Sequence, residues 1–310
     1  MADMADNPAD RADNAAGSEG ARVINFKHAG GISLHLELSG PAPAEGQRAL
    51  LILDGIGCSG WAFKQIIPTL AETHTVLLMH YRGHGRSPVP PRPWNLGIEV
   101  LADDAAAACA HVGIRSVIAV GFSMGFQVAL ELFRRHRALV SGLVSLAGPS
   151  GRVLDNFQRT HVFGYALPFV SLATKAVPET TSRWWRAATS HPLASEIGIR
   201  FQVNAERLDK ADLDIYLRQV SEVNPELFTE LLGAAHRHTA ADLLPRVNVP
   251  TRVIAGARDS FVPLATMREL AFAIPHGQWQ VLQGATHALP AEFPGRIADE
   301  LLRFVAEFDD

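Results

Sequence analysis

The segment from Ser116 to Leu132 reads S-V-I-A-V-G-F-S-M-G-F-Q-V-A-L-E-L, and Ser123 within it has a glycine two positions before it and another two positions after it. Val117 to Val120 is an unbroken apolar run, the pattern of a strand buried on both faces of a parallel sheet. Beyond Gly125 the spacing changes, and Val128, Ala129, Leu132 and Phe133 fall at helical intervals. A strand that turns straight into a helix presses backbone against backbone, so side chains at 121 and 125 would collide, and glycine removes them. Such a turn holds the serine in a strained conformation at the helix N-terminus, its oxygen clear of the sheet, where free N–H groups favour negative charge. Ser123 is therefore the candidate nucleophile.

A serine hydroxyl is too weak an acid to attack a carbonyl at neutral pH without a base in hydrogen-bond reach and a third group that fixes the base's tautomer. Of thirteen histidines, His287 alone combines a strand-end loop with a glycine upstream, in Gln283-Gly284-Ala285-Thr286-His287. His84, beside a turn glycine, and His236 and His238, near the end of a helix, suit structural or surface roles. Among the acids, Asp259 ends a strand in Gly256-Ala257-Arg258-Asp259, and Asp54, which also ends a strand, is its rival. Asp259 and His287 lie 28 positions apart, one strand–helix–strand unit. Parallel strands open their C-terminal ends on one edge of the sheet, so these loops share a rim with Ser123.

The elements that must position these groups alternate along the chain. Arg22 to Lys27 and Ser33 to Leu38 alternate apolar and polar residues about Ala29-Gly30-Gly31, as an antiparallel hairpin does. Buried strands are expected at Ala49 to Leu53, Thr75 to His80, around Val117 to Val120, Val140 to Ala147, Val249 to Ala255 and Gln278 to Leu282. Helices are expected at Trp61 to Ala71, Glu99 to Val112, Leu264 to Ala273 and Glu292 to Phe308. That rhythm specifies an α/β fold, a mostly parallel doubly wound sheet with right-handed crossovers. Between Ser150 and Pro245 it gives way to helical segments: His161 to Val177 broken by Pro168, Asp209 to Val223, and one capped by Asn224-Pro225-Glu226. The expected organisation is a disordered tail over 1–21, a core made of 22–149 and 246–310, and a helical cap over 150–245.

Composition narrows the partners. A chain of 310 residues with 47% hydrophobic residues can build a sizeable core, and a net charge of −4 gives no electrostatic case for nucleic acid. Cys58 and Cys109 stand in unrelated contexts without metal-ligand spacing, so neither a disulfide framework nor a zinc site is expected. No apolar run approaches the roughly 20 residues of a membrane span. The N-terminal stretch lacks an apolar signal region, which makes the cytoplasm the expected location.

Taken together, Leu53-Asp54-Gly55, Arg82-Gly83-His84-Gly85-Arg86-Ser87, Gly121 to Gly125, Gly256 to Asp259 and Gly284 to His287 resemble the α/β-hydrolase superfamily, whose members carry Ser, Asp or Glu, and His in that chain order. The resemblance implies Ser123 as nucleophile, His287 as general base and acid, and Asp259 as orienting acid. It implies an oxyanion hole made by the backbone N–H groups of Ile56 and Met124, and a structural turn at Arg82 to Ser87. Two residues depart from the pattern: Asp54 stands where histidine is usual, which alters hydrogen bonding behind the oxyanion loop, and Phe126 replaces a second glycine, which narrows the pocket.

The implied activity is cleavage of a small-molecule carboxylic ester or lactone through an acyl-enzyme, with no metal or organic cofactor. C–C bond hydrolases, cofactor-free haloperoxidases and acyltransferases use the same three residues, although Phe122 replaces the asparagine that C–C hydrolases commonly carry before the serine. A non-catalytic ligand-binding protein on this fold is the reading from another class. Oligomeric state is not encoded in these patterns.

Overall fold

The computed structural model describes residues 20–28, 31–155, 162–191, 203–204, 206–208 and 210–308. The expected tail, apart from Gly20 and Ala21, lies outside the described residues, as do Ala29, Gly30, His161 and Asp209.

Strands β1 (Arg22–His28) and β2 (Ile32–Ser39) pair antiparallel with Arg22 opposite Leu38. They continue into a sheet with β3 (Ala49–Leu53), β4 (Val76–Met79), β5 (Val117–Phe122), β6 (Val140–Leu146), β7 (Thr251–Gly256) and β8 (Gln278–Leu282). The strand order is β1-β2-β4-β3-β5-β6-β7-β8, parallel from β4 to β8 and antiparallel where β2 meets its neighbours. This is the α/β architecture the rhythm of the sequence specifies.

The apolar runs are continuous because both faces are covered. Leu51 and Leu53 of β3 point into a core shared with α2 (Ile98–His111) and α3 (Met124–Arg135), whereas Leu50 and Ile52 point into a second core under α1 (Ile66–Ala71). Burying a leucine or isoleucine fully contributes about 1.5–3 kcal/mol, so these alternating side chains fix both register and layer order.

Between β6 and β7 run α4 (Val162–Ala176), α5 (Pro178–Thr189), α6 (Lys210–Glu222) and α7 (Pro225–Arg237). As expected, Asn224 caps α7, its side chain accepting the amides of Glu226 at 3.0 Å and Leu227 at 3.1 Å, with Pro225 in the first turn. Pro168 does not break α4. It lies on the exposed outer side with Tyr165, Phe169 and Leu172, so only one amide bond is forfeited and Leu167 keeps its packing on the inner side. Glu131 of α3 accepts from His238 Nε2 at 3.0 Å, and Gln127 donates to Ala235 O at 2.9 Å, tying the end of α7 to the sheet layers.

After β7 come α8 (Leu264–Ala273), then α9 (Leu289–Glu292) and α10 (Pro294–Ala306). The single closing helix expected from Glu292 is divided at Phe293, φ −133°, because Pro294 has no amide to continue α9 and disfavours helical geometry in the residue before it. Trp61 to Ala71 is likewise divided, a short 3-10 turn at Trp61–Phe63 preceding α1. No helix among the described residues is long and apolar enough to cross a membrane.

Two buried histidines in the segment that follows β4 set an acid limit. Burial first, then the neighbouring His35, pushes the His80 pKa down to about 4; burial pushes that of His84 to about 4 against the carbonyl of Arg82. Both values are depressed from about 6.5, so their stabilisation is complete above that pH and lost as pH falls toward 4, roughly 3 kcal/mol each. Asp54, raised to about 6, works in the opposite sense and offsets one of them. We therefore expect the urea midpoint to drop between pH 6.5 and 4.5, and to drop less in His84→Asn, whose amide can still donate to Arg82 O. An equal slope in the variant would remove His84 from this account.

Candidate active site

Ser123 sits between β5 and α3 with φ 52° and ψ −124°, a left-handed conformation rare outside glycine that costs about 1–3 kcal/mol. The flanking glycines are dictated by contact: a β-carbon at Gly121 would lie 2.4 Å from Phe126 Cα, and one at Gly125 would lie 1.9 Å from Leu53 O. The Ser123 hydroxyl is 2.9 Å from His287 Nε2, in the loop after β8. His287 Nδ1 is 2.9 Å from Asp259 Oδ2, in the loop after β7. Asp259 Oδ1 accepts the amides of Phe261 at 2.7 Å and Val262 at 2.9 Å, so both its oxygens are engaged and the carboxylate cannot swing away. The imidazole is held flat between rings, Phe261 stacked at 4.8 Å and Phe122 tilted at 5.4 Å.

Asp54, the rival acid, does not reach His287. Its Oδ1 accepts the amide of Gly55 at 2.8 Å and its Oδ2 that of Gly60 at 2.7 Å, clamping the loop after β3 from both ends. Burial raises its pKa to about 6, against the lowering effect of those two amides. The clamped loop passes close over the serine, since a β-carbon at Gly55 would be 3.4 Å from Ser123 Cβ. Ile56 lies in this loop and Met124 opens α3, and neither amide has a hydrogen-bond partner among the described residues. Phe126 does not narrow the pocket. It is fully buried in the core and its Cβ packs against Gly148, because its position in α3 faces the sheet.

The residues of the Arg82–Ser87 turn bond away from the site: Arg82 forms a paired bridge to Asp104 at 2.6 and 2.7 Å, and Ser87 donates to His80 O at 2.7 Å. Among the described residues one trio has ligand atoms close enough to hold a metal ion, His35, Glu37 and His80, within 4.8 Å of one another. His80 Nδ1 accepts the amide of Arg86 at 3.1 Å, so the neutral ring carries its proton on Nε2 and offers no lone pair there. None of the three lines the site.

Ser123 and His287 open into a cavity of about 480 Å³ roofed by α4 to α7, with Leu167, Trp185, Leu213, Tyr216 and Phe228 among its walls. Among the described residues, no Asp, Glu, Lys or Arg lines it. Sequence reasoning did not single out three of the lining residues, Phe261, Trp185 and Tyr216. The position of Phe261 two residues after Asp259 was the only signal for it, and nothing local distinguished the other two from packing residues.

With this geometry in place the class follows: the chain belongs to the alpha/beta hydrolase fold family, whose model matches residues 48–294. Its relatives include the pimeloyl-[acyl-carrier protein] methyl ester esterase of Xanthomonas oryzae pv. oryzae, 28% identical over 281 residues, covering 88% of this chain and 99% of that protein. The magnesium-chelatase 30 kDa subunit of Rhodobacter capsulatus is 28% identical over 265 residues, covering 84% of this chain and 88% of its own. Among solved structures, a thermophilic esterase from Thermogutta terrifontis with malate bound aligns at a TM-score of 0.74 and 23% identity, covering 93% of this chain and 98% of that one, a likeness of fold.

Proposed function

We propose that the protein is a serine hydrolase that cleaves a neutral carboxylic ester or lactone through an acyl-enzyme. The observation that carries this reading is the line of hydrogen bonds from Asp259 through His287 to Ser123, ending inside an apolar cavity. With Nδ1–H donated to Asp259, His287 presents the Nε2 lone pair to the Ser123 hydroxyl. As Oγ bonds to the carbonyl carbon, its proton passes to Nε2 and the carbonyl oxygen becomes an oxyanion. The amides of Ile56 and Met124 receive that charge, each contributing about 3 kcal/mol to the transition state.

The imidazolium then gives its Nε2 proton to the leaving alcohol oxygen as the ester C–O bond breaks. Water takes the alcohol's place, His287 removes a proton from it, and the new oxygen bonds to the acyl carbon. Collapse of this second intermediate returns the proton to Ser123 and releases the acid. Only water is needed as co-substrate.

The helices of residues 150–245 act as the cap that excludes bulk water, and their apolar inner faces favour a neutral, largely hydrocarbon substrate. The relatives named as esterases support ester over C–C bond cleavage. A fluorophosphonate probe should label the wild-type protein covalently and leave Ser123→Ala unlabelled. Folded wild type that resists the probe would instead support the non-catalytic ligand-binding reading.

A further inference from the structure

Apart from Ser123 and His287, the polar side chains lining the cavity can each be followed to a partner, with one exception. Trp61 Nε1 donates to Cys58 Sγ at 3.3 Å, and Cys58 in turn donates to Ile56 O at 3.6 Å. Trp185 Nε1 donates to Val220 O at 2.8 Å. The Thr229 hydroxyl donates to Glu226 O at 3.0 Å and faces Thr174 Oγ1 at 3.2 Å. Tyr216 is the exception. Its ring packs on the Trp61 indole with centroids 5.0 Å apart, and its hydroxyl has no hydrogen-bond partner among the described residues.

We infer that Tyr216 is a specificity-determining residue, its hydroxyl donating to an ether, keto or second ester oxygen of the substrate, so that the site selects apolar esters or lactones carrying one such oxygen over plain alkyl ones. The inference rests on the hydrolase reading above and names the substrate class within it. In the free protein, water can satisfy the hydroxyl. A substrate that fills 480 Å³ of apolar space expels that water, and unless it supplies an acceptor it leaves a buried donor unpaired. Burial, with Cys58 and then Asp54 adding to it, holds the tyrosine proton on well above its ordinary range, so the group stays a donor. The ring that carries this hydroxyl packs on Trp61, which follows directly on the loop carrying Ile56.

The test compares p-nitrophenyl esters of one chain length, either plain or with a single methylene replaced by an ether oxygen at successive positions. In wild type, one ether position should exceed the plain ester in kcat/KM by about tenfold to a hundredfold, chiefly through KM. Tyr216→Phe keeps the ring and its packing. It should abolish that preference, and it should still take the fluorophosphonate label. Thr229→Val, whose hydroxyl is already engaged, should retain the wild-type preference. The same preference in wild type and Tyr216→Phe at every position would overturn the proposal. So would a wild-type series in which no ether position wins, which decides the matter even if the variant does not fold. Failure of wild type to label strikes the hydrolase reading instead.

Discussion

Asp259→Asn is expected to lower kcat by about 10⁴-fold while leaving KM and the unfolding temperature nearly unchanged. The reason lies in the amides of Phe261 and Val262, which donate to Asp259 Oδ1. An asparagine there must point its only acceptor at those two amides, which turns its NH₂ group toward His287 Nδ1. The ring then has to accept at Nδ1 and carry its proton on Nε2, the tautomer that cannot take a proton from Ser123. Asp54→Asn should behave differently. It leaves one of the amides of Gly55 and Gly60 facing an NH₂ group, loosening the loop of Ile56 and costing about tenfold to a hundredfold. Steady-state kinetics on both variants decide between them, and the reverse ranking would make Asp54 the functional acid.

Gly125→Ala should prevent folding to the native state. The added carbon would stand 1.9 Å from Leu53 O and 2.5 Å from Leu53 C, which are backbone atoms of a central strand with no rotamer to yield. Relief requires α3 to move off β3, and α3 is buried along nearly its whole length. A loss above about 4 kcal/mol is a large share of the 5–15 kcal/mol that holds a typical domain together. Circular dichroism and solubility on expression would report it. Gly31→Ala is the control: its φ of +78° is strained for alanine, but no atom lies within 4 Å, so the loss should be about 1–2 kcal/mol.

How much of this was readable in the chain follows from where information is local. The strands and the turn at Ser123 were legible because a doubly covered strand must be apolar throughout and a backbone crossing must be glycine. The meeting of residues 123, 259 and 287 was legible because parallel strands end on one rim. The competition between Asp54 and Asp259 could not be read from strand-end position, which both share; amides hold Asp54 in its own loop and turn Asp259 toward His287, and amide placement is invisible in sequence. Phe126 was misleading for a related reason, since a residue three beyond the serine can face either cavity or sheet depending on how α3 is rotated. The walls supplied by Trp185 and Tyr216 depend on how separate helices dock, and an amphipathic stripe says only that a side is covered, not by what.

The described lining of the cavity carries no charged side chain other than what His287 can acquire. Long-range Coulomb forces have little purchase on how a neutral guest finds this chamber, so screening of the chain's net charge of −4 does not by itself alter capture. Arrival is governed by diffusion and by the dewetting of hydrocarbon walls, a process that strengthens with warming from the cold and in sulfate, and weakens in urea.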